Sequence, residues 1–332
     1  MERAIVHSDL KKQEIQPQSL LDKYLALLDI DIQNIFHEGS LEAANCPVTG
    51  ESHTRESFQK LHMKYLISQS LGNIYISPRP SPKLLKNFYY NSKAREFWIN
   101  SVWPETRIAR REKIIDPQLM WAKTFLTQYF GERKLLMAEF LANHWGYYEG
   151  SKDIFPSSEY KLTEILFNPN YLRKIFPNDL IGESDDSHFD AVFLFEALDR
   201  APNPVELITE VHTSLNPGGL CFITCLLSSG FEIQILGQKS EIFVPPERMN
   251  LFSYEGMIAL IEKVGGFEVL EFSTPGVLDI PNVVSKLEKI DDVPFISYIF
   301  NQRKNEELDY SFHEFLQLNR LGTFGRLVLK KK

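Results

Sequence analysis

The chain has 332 residues, 43% of them hydrophobic, with 36 Lys and Arg against 44 Asp and Glu for a net charge of -8. That length and apolar content support a folded core with room for more than one domain, while the acidic balance offers no broad basic surface and argues against nucleic acid as a partner. Three cysteines at unrelated spacings make no disulfide framework and point to the cytoplasm; the start lacks a signal-peptide core, and no stretch reaches the roughly 18 to 20 apolar residues of a membrane span.

Residues 19–36 put Leu21, Leu25, Leu28, Ile32 and Ile35 on one helical face, with Ser19 as the expected N-cap. Such a face docks on its own domain or on a second copy, so a homo-oligomer through this helix stays open. Residues 46–81, rich in turn formers and short apolar runs, read as a small β-rich module ending in a proline-stiffened loop. Residues 82–130 turn helical and aromatic. There Phe88, Tyr89, Tyr90, Phe97, Trp98 and Trp103 read as packing ahead of a pocket lining, and Arg107, Arg110, Arg111 and Lys113 as a solvated helix face ahead of a site for an anionic group.

After Gly131 strand and helix patterns alternate. "KLLMAEF", "YKLTEILF", "FDAVFLF", "GLCFITCLL", "FEVLEFST" and "GRLVLKKK" read as strands. "PVELITEVHTSL" and "SYEGMIALIEKVG", the latter capped by Ser253, read as helices. Strands apolar throughout and separated by helices predict an α/β fold, a mainly parallel Rossmann-like sheet covered on both faces. The expected domains are a helical extension (1–45), the β-rich module (46–81), a helical segment (82–130) and the α/β domain (131–332). Ligands of such sheets lie beyond the carboxyl ends of the strands, near the switch point in strand order. The first strand ends near Glu139 and the second near Glu164, a separation at which an acid meets a ribose in nucleotide-binding folds. Glu164 is thus a ribose-hydroxyl candidate, or an exposed strand-end glutamate.

The stretch "FDAVFLFEALDRAPNPVELITEVHTSLNPGGLCFITCLLSSGFEIQILG" and the following "IFVPPERMNLFSYEGMIALIEKVGGFEVLEFSTPGVLDI" resemble the class I S-adenosylmethionine-dependent methyltransferases. The similarity is strongest to a bacterial branch in which that domain follows a small cysteine module; "CPVTG", "ISPRPSPKLLKNFYYNSKAREFW" and "PETRIARREKIIDP" share it. The resemblance implies S-adenosylmethionine as cofactor and a strand begun by Asp190 with Phe195 and Glu196 at its cleft end. It also implies a turn at Asn216 to Gly219 and a loop near the adenine at Glu183 and Ser184.

Departures from the family pattern are as informative. The acid after the first strand is present as Glu139, but Leu141, Asn143 and Trp145 stand where glycines let the backbone approach the cofactor. Asn143 is the expected left-handed residue and Gly146 a second tight point, so Glu139, Asn143 and Gly146 join Glu164 and Phe195 as cofactor-side candidates, in a site whose hold on S-adenosylmethionine is in doubt. Thr49 replaces a cysteine beside Cys46, and one thiol cannot close a tetrahedral site, so no zinc is expected. Cys221 and Cys225, four apart in a strand, share one core-facing side. Gly322, Thr323 and Phe324 replace a serine pair and a histidine of the family. Glu196, Asp199 and Arg200 are the polar candidates for the catalytic position. Two functions follow: methyl transfer to a small molecule, with a sugar or surface-polysaccharide precursor implied by the branch, or a non-catalytic methyltransferase-like binding or assembly partner.

Overall fold

The computed structural model describes residues 5–37, 39–167, 170, 188–289, 293–303 and 305–332. The first long helix, α1 (Gln18–Ile35), starts one residue before Ser19 and has no side-chain cap. Pro17 stands at the N-cap instead, and its carbonyl accepts from the amides of Leu20 and Leu21, so the serine is already inside the first turn. The helix buries Leu21, Tyr24, Leu28, Asp31 and Ile32 against its own chain, where the Asp31 carboxylate accepts from the Ala94 amide at 2.7 Å.

Strands β1 (Thr54–Lys60), β2 (Met63–Ser68) and β3 (Ile74–Ile76) form an antiparallel sheet. Helix α2 (Pro82–Asn91) follows, capped by Ser81. From Lys93 to Phe130 the chain is helical without a break: α3 (Lys93–Phe97), a π segment (Trp98–Val102), α4 (Trp103–Arg110), a second π segment (Arg111–Ile115) and α5 (Asp116–Phe130). Each π segment precedes a proline, Pro104 or Pro117. Because proline lacks an amide hydrogen and its ring crowds the carbonyl one turn back, widening the turn by a residue lets the helix continue.

The α/β region follows the predicted alternation. Strand β4 (Leu136–Phe140) leads through α6 (Gly146–Ile154) to β5 (Glu159–Thr163). Strand β6 (Phe189–Phe195) is buried at every position, and α7 (Pro204–Ser214), capped by Asn203, crosses to β7 (Leu215–Leu226). Next come β8 (Asn250–Leu251), α8 (Tyr254–Val264) with the expected Ser253 cap, β9 (Phe267–Ser273), α9 (Glu306–Leu318) and β10 (Phe324–Lys331). The six-stranded sheet runs β9-β10-β7-β6-β4-β5. The pairs β4–β5, β4–β6 and β6–β7 are parallel, as expected, whereas β10 is antiparallel to both its neighbours. "GLCFITCLL" and "FDAVFLF" are adjacent, and the turn at Asn216 to Gly219 lies within the long β7, with Gly218 at φ 75. Strand β8 pairs with β3, so the N-terminal sheet is completed by a strand from far along the chain.

Alternate side chains of β6 feed two cores. Val192 and Leu194 pack with Ile208, Leu260, Cys221 and Cys225 on one face. Ala191, Phe193 and Phe195 pack with Leu119, Trp121 and Phe222 on the other. No helix among the described residues is long and apolar enough to cross a membrane.

The first residue of α6 is held to glycine by packing. A Cβ on Gly146 would lie 2.5 Å from Trp103 Cη2 and 2.7 Å from Ile115 Cδ1. Alanine usually favours a helix over glycine by about 1 kcal/mol, but overpacking here costs about 1–3 kcal/mol. We expect Gly146→Ala to be destabilising, measured as a lower midpoint of urea unfolding at unchanged slope.

Candidate active site

Strands β4, β5 and β6 end in the same unusual way. The residue after each is not glycine yet is left-handed: Leu141 at φ 53, Glu164 at φ 47 and Glu196 at φ 53. Non-glycine residues pay roughly 1–2 kcal/mol for this conformation, and such strain gathers where backbone direction matters to function. Here it turns the chain sharply away from the sheet at three neighbouring carboxyl ends. The Leu141 amide donates to Thr163 O at 3.2 Å, and the Glu196 amide to Thr224 O at 2.8 Å, which fixes both turns. The sequence places the left-handed turn at Asn143; the structure moves it to Leu141, directly against the end of β4, because the chain reverses before Asn143 is reached.

The glycine-poor loop 141–146 is rebuilt around two cores. Leu141 packs with the α7 side of the sheet. Trp145 turns to the other side, edge-on to Trp103 and Phe167 at ring separations of 5.7 and 5.8 Å, and lines neither cavity at the strand ends. Asn143 and His144 remain to line a polar cavity of about 260 Å³ beside Glu196 and Arg200. This cavity lies where strand order reverses, between the ends of β4 and β6. Gly146 is the first residue of a helix, not a second tight turn.

His144 is half-buried among Trp103, Trp98 and Tyr147, with ring separations of 4.9, 5.8 and 5.5 Å. Burial, then Arg110 and Arg200, depress its pKa to about 3, so the ring is neutral at physiological pH. Its Nδ1 accepts from the Gly146 amide at 3.1 Å. The ring proton of the neutral form therefore sits on Nε2, making His144 a donor.

An ion network surrounds Glu196. Arg248 Nη2 donates to its Oε2 at 2.7 Å, Arg200 Nη2 lies 3.6 Å from the same oxygen, and Arg248 Nη1 lies 3.3 Å from Asp199 Oδ2. Burial opposes ionisation of Glu196, but Arg248 and Arg200 outweigh it and hold the carboxyl at about 2. Asp199 is fully enclosed, and burial lifts it to about 7 against the pull of Arg248. A second pair joins the helical segment: Arg95 Nη1 donates to Glu247 Oε1 at 2.9 Å, and Arg95 Nη2 to Asn143 O at 2.5 Å.

The structure thus gathers Asn143, Glu196 and Arg200 at one cavity, with Asp199 behind them. Glu164 lines a second cavity beside Leu141 and Thr163, which meets the first only at Arg200. Partial burial and then Glu206 raise its pKa. Phe195 faces the other way, its ring stacked on Tyr147 at 3.9 Å. Glu139 lines neither cavity; its Oε2 accepts from Tyr160 OH at 3.1 Å in the core. Glu183 and Ser184 lie outside the described residues. Cys46 is buried, with Asn73 Nδ2 donating to its sulfur at 3.6 Å. Among the described residues no cluster of three His, Cys, Asp or Glu could hold a metal. Thr323 takes a structural part: its amide donates to Asp279 Oδ1 and its Oγ1 accepts from the Glu232 amide.

Sequence reasoning missed His144, Arg95, Glu247 and Arg248, and set Arg110 on a solvated face ahead of an anion site. For Arg110 a signal existed, since Trp103, Thr106 and Arg110 share one helical face and the first two are buried. Arg110 is half-buried beside them; it donates to Thr106 Oγ1 at 3.0 Å and to Ile15 O at 2.5 Å.

Residues 114–271 match a family model described as a methyltransferase domain. The match runs from the second π segment to β9. No curated protein matches it. Among solved structures the chain is similar to a SAM-dependent methyltransferase from Archaeoglobus fulgidus, at 14% identity over 71% of this chain and 99% of that one, TM-score 0.41. It is also similar to one from Thermotoga maritima, at 13% over 71% and 98%, TM-score 0.42. The plantazolicin methyltransferase BpumL in complex with SAH matches at 10% over 75% and 94%, TM-score 0.46.

Glu139 gives a prediction with a definite sign. Burial, opposed by the Tyr160 hydrogen bond, raises its pKa from 4.5 to about 8. Between these values the folded state keeps a proton that the unfolded chain has released, so the group's contribution falls as pH rises through the window. Glu139→Gln mimics the protonated form. It should be more stable than the parent at pH 8 by about 2 kcal/mol or more, since one pKa unit is about 1.4 kcal/mol, and the gap should close towards pH 4.5. Denaturant titrations at pH 5 and pH 8 check this, and a variant weaker at pH 8 would show the carboxylate to be ionised in the fold.

Proposed function

We propose that this chain transfers a methyl group from S-adenosylmethionine to a small molecule held between the strand ends and the N-terminal helices. The observation behind the reading is the rebuilt loop: Leu141 and Trp145 are drawn into opposite cores, so losing the glycines has left a cavity at the switch point. On this reading residues 131–332 are the catalytic domain and residues 1–130 close over its strand ends.

The residues present suit the cofactor. On this reading Glu164, in the second cavity beside Leu141 and Thr163, accepts from ribose hydroxyls. When bound, S-adenosylmethionine supplies the electrophilic methyl group. The chain's own part is alignment. Ionised Glu196 is a weak base, neutral His144 presents a donor, and Asp199, closest to neutral pH, is shut behind Arg248. None of the three is arranged as a general base, so orientation of the acceptor carries the catalysis. A sugar or surface-polysaccharide precursor is the acceptor class that the sequence resemblance supports.

One observation favours the second reading, a non-catalytic binding or assembly partner: Tyr147 covers Phe195 at 3.9 Å, closing part of the surface at the end of β6. Calorimetric titration with S-adenosylmethionine and its demethylated product separates the two. Micromolar binding supports the enzyme, and no binding at millimolar ligand supports the partner. If the enzyme reading holds, Glu164→Ala should weaken cofactor binding by roughly 1.5–3 kcal/mol, the range for hydrogen bonds to a charged group, with little change in stability.

A further inference from the structure

The cavity beside Glu196 holds more cation than its counterions require. Arg95, Arg110, Arg200 and Arg248 all line it, against the carboxylates of Glu196 and Glu247. Of the remaining charged lining groups, Lys12 pairs with Glu241, and Glu232, held by Ser240 and Asn282, is a third carboxylate against the four guanidinium groups. Asp199, behind Arg248, supplies at most part of a further negative charge near neutral pH.

The pairings leave donors over. Nε of Arg95 and Nε of Arg200 have no hydrogen-bond partner. Arg110 donates only to the neutral oxygens of Thr106 and Ile15. Arg95 and Arg200 are 3% and 2% exposed, so bulk water does not make up the shortfall. Enclosing an unmatched guanidinium is costly, and a chain with a net charge of -8 has acids enough to pair it. Arg95 and Arg110 also lie over the ring of Trp98 at 5.3 and 5.7 Å, which holds their planes in place. Guanidinium groups so fixed suit the two-oxygen edge of a phosphate or carboxylate.

We propose that this cavity binds the oxyanion of the methyl acceptor, a small molecule carrying a phosphate or carboxylate, with Arg110 as the principal contact. The word acceptor rests on the methyltransferase reading, whereas the anion rests on the cavity alone. The methionine carboxylate of the cofactor is the competing source. Against it, Arg95, Arg110 and Arg248 line only the cavity that Glu164 does not reach.

The test uses the full chain and inorganic phosphate, followed by thermal unfolding and tryptophan fluorescence, with chloride at matched ionic strength and with the demethylated cofactor present or absent. Phosphate should raise the unfolding temperature saturably where chloride does not, and the demethylated cofactor should leave that response unchanged. Arg110→Gln leaves no carboxylate unpaired and should weaken phosphate binding about tenfold or more. Glu196→Gln removes a competing negative charge and should tighten it, a direction that simple structural damage would not produce, and it carries the test if Arg110→Gln fails to fold. Equal responses to phosphate and chloride, unchanged affinity in Arg110→Gln, or displacement of phosphate by the demethylated cofactor would each overturn the proposal. Because the phosphate titration reads out without the cofactor, failure of cofactor binding is seen separately.

Discussion

The architecture at the strand ends depends on three parallel strands being stopped by residues in a conformation that side chains disfavour. Leu141, Glu164 and Glu196 each hold a positive φ next to a carboxyl end. At roughly 1–2 kcal/mol apiece, such turns persist only where their surroundings fix them. For Leu141 the surroundings are the amide bond to Thr163 and burial of the side chain in the α7-side core. For Glu196 they are the Thr224 carbonyl and two guanidinium groups. Relaxing either turn would move loop 141–146 or the Ala197–Arg200 turn, and with them most of the cavity wall.

The same residues tie the N-terminal elements to the sheet. Arg95, from α3, joins Glu247 and the carbonyl of Asn143, so one guanidinium connects the helical segment, the segment before β8 and the rebuilt loop. Tyr65 of β2 donates to the carbonyl of Arg248, whose side chain holds Glu196. Arg79 reaches Pro202 and Asn250. Buried ion pairs are poor sources of net stability, because desolvation offsets much of their attraction. Their value here is geometric: they fix the distance between the covering helices and the strand ends.

How much of this was legible in the sequence follows from which interactions are local. The alternation of apolar strands with amphipathic helices announced the parallel sheet, and Ser253 announced its helix through cap chemistry acting over three residues. The antiparallel insertion of β10 between β7 and β9 leaves no local trace, because a buried strand reads the same in either direction. The pairing of β8 with β3 joins residues about as far apart as the domains themselves. At the site, Glu196 and Arg200 were readable from their place after an apolar strand. Arg95 and Arg248 were not, since the partners that make them matter, Glu247 and Glu196, are distant in sequence.

Loop 141–146 shows why residue volume alone does not decide the shape of the cleft. Leucine and tryptophan in place of glycine fill a cleft only if their side chains have nowhere else to go. At the edge between two cores they have somewhere else: Leu141 enters one and Trp145 the other. The requirement for close backbone approach then falls on the residues between, and these are the small Ala142, Asn143, whose carbonyl is already claimed by Arg95, and His144, held flat among aromatic rings. A loop built this way offers side-chain and carbonyl groups where a glycine loop offers bare amides. Its chemistry therefore belongs as much to the arginines that face it as to the backbone.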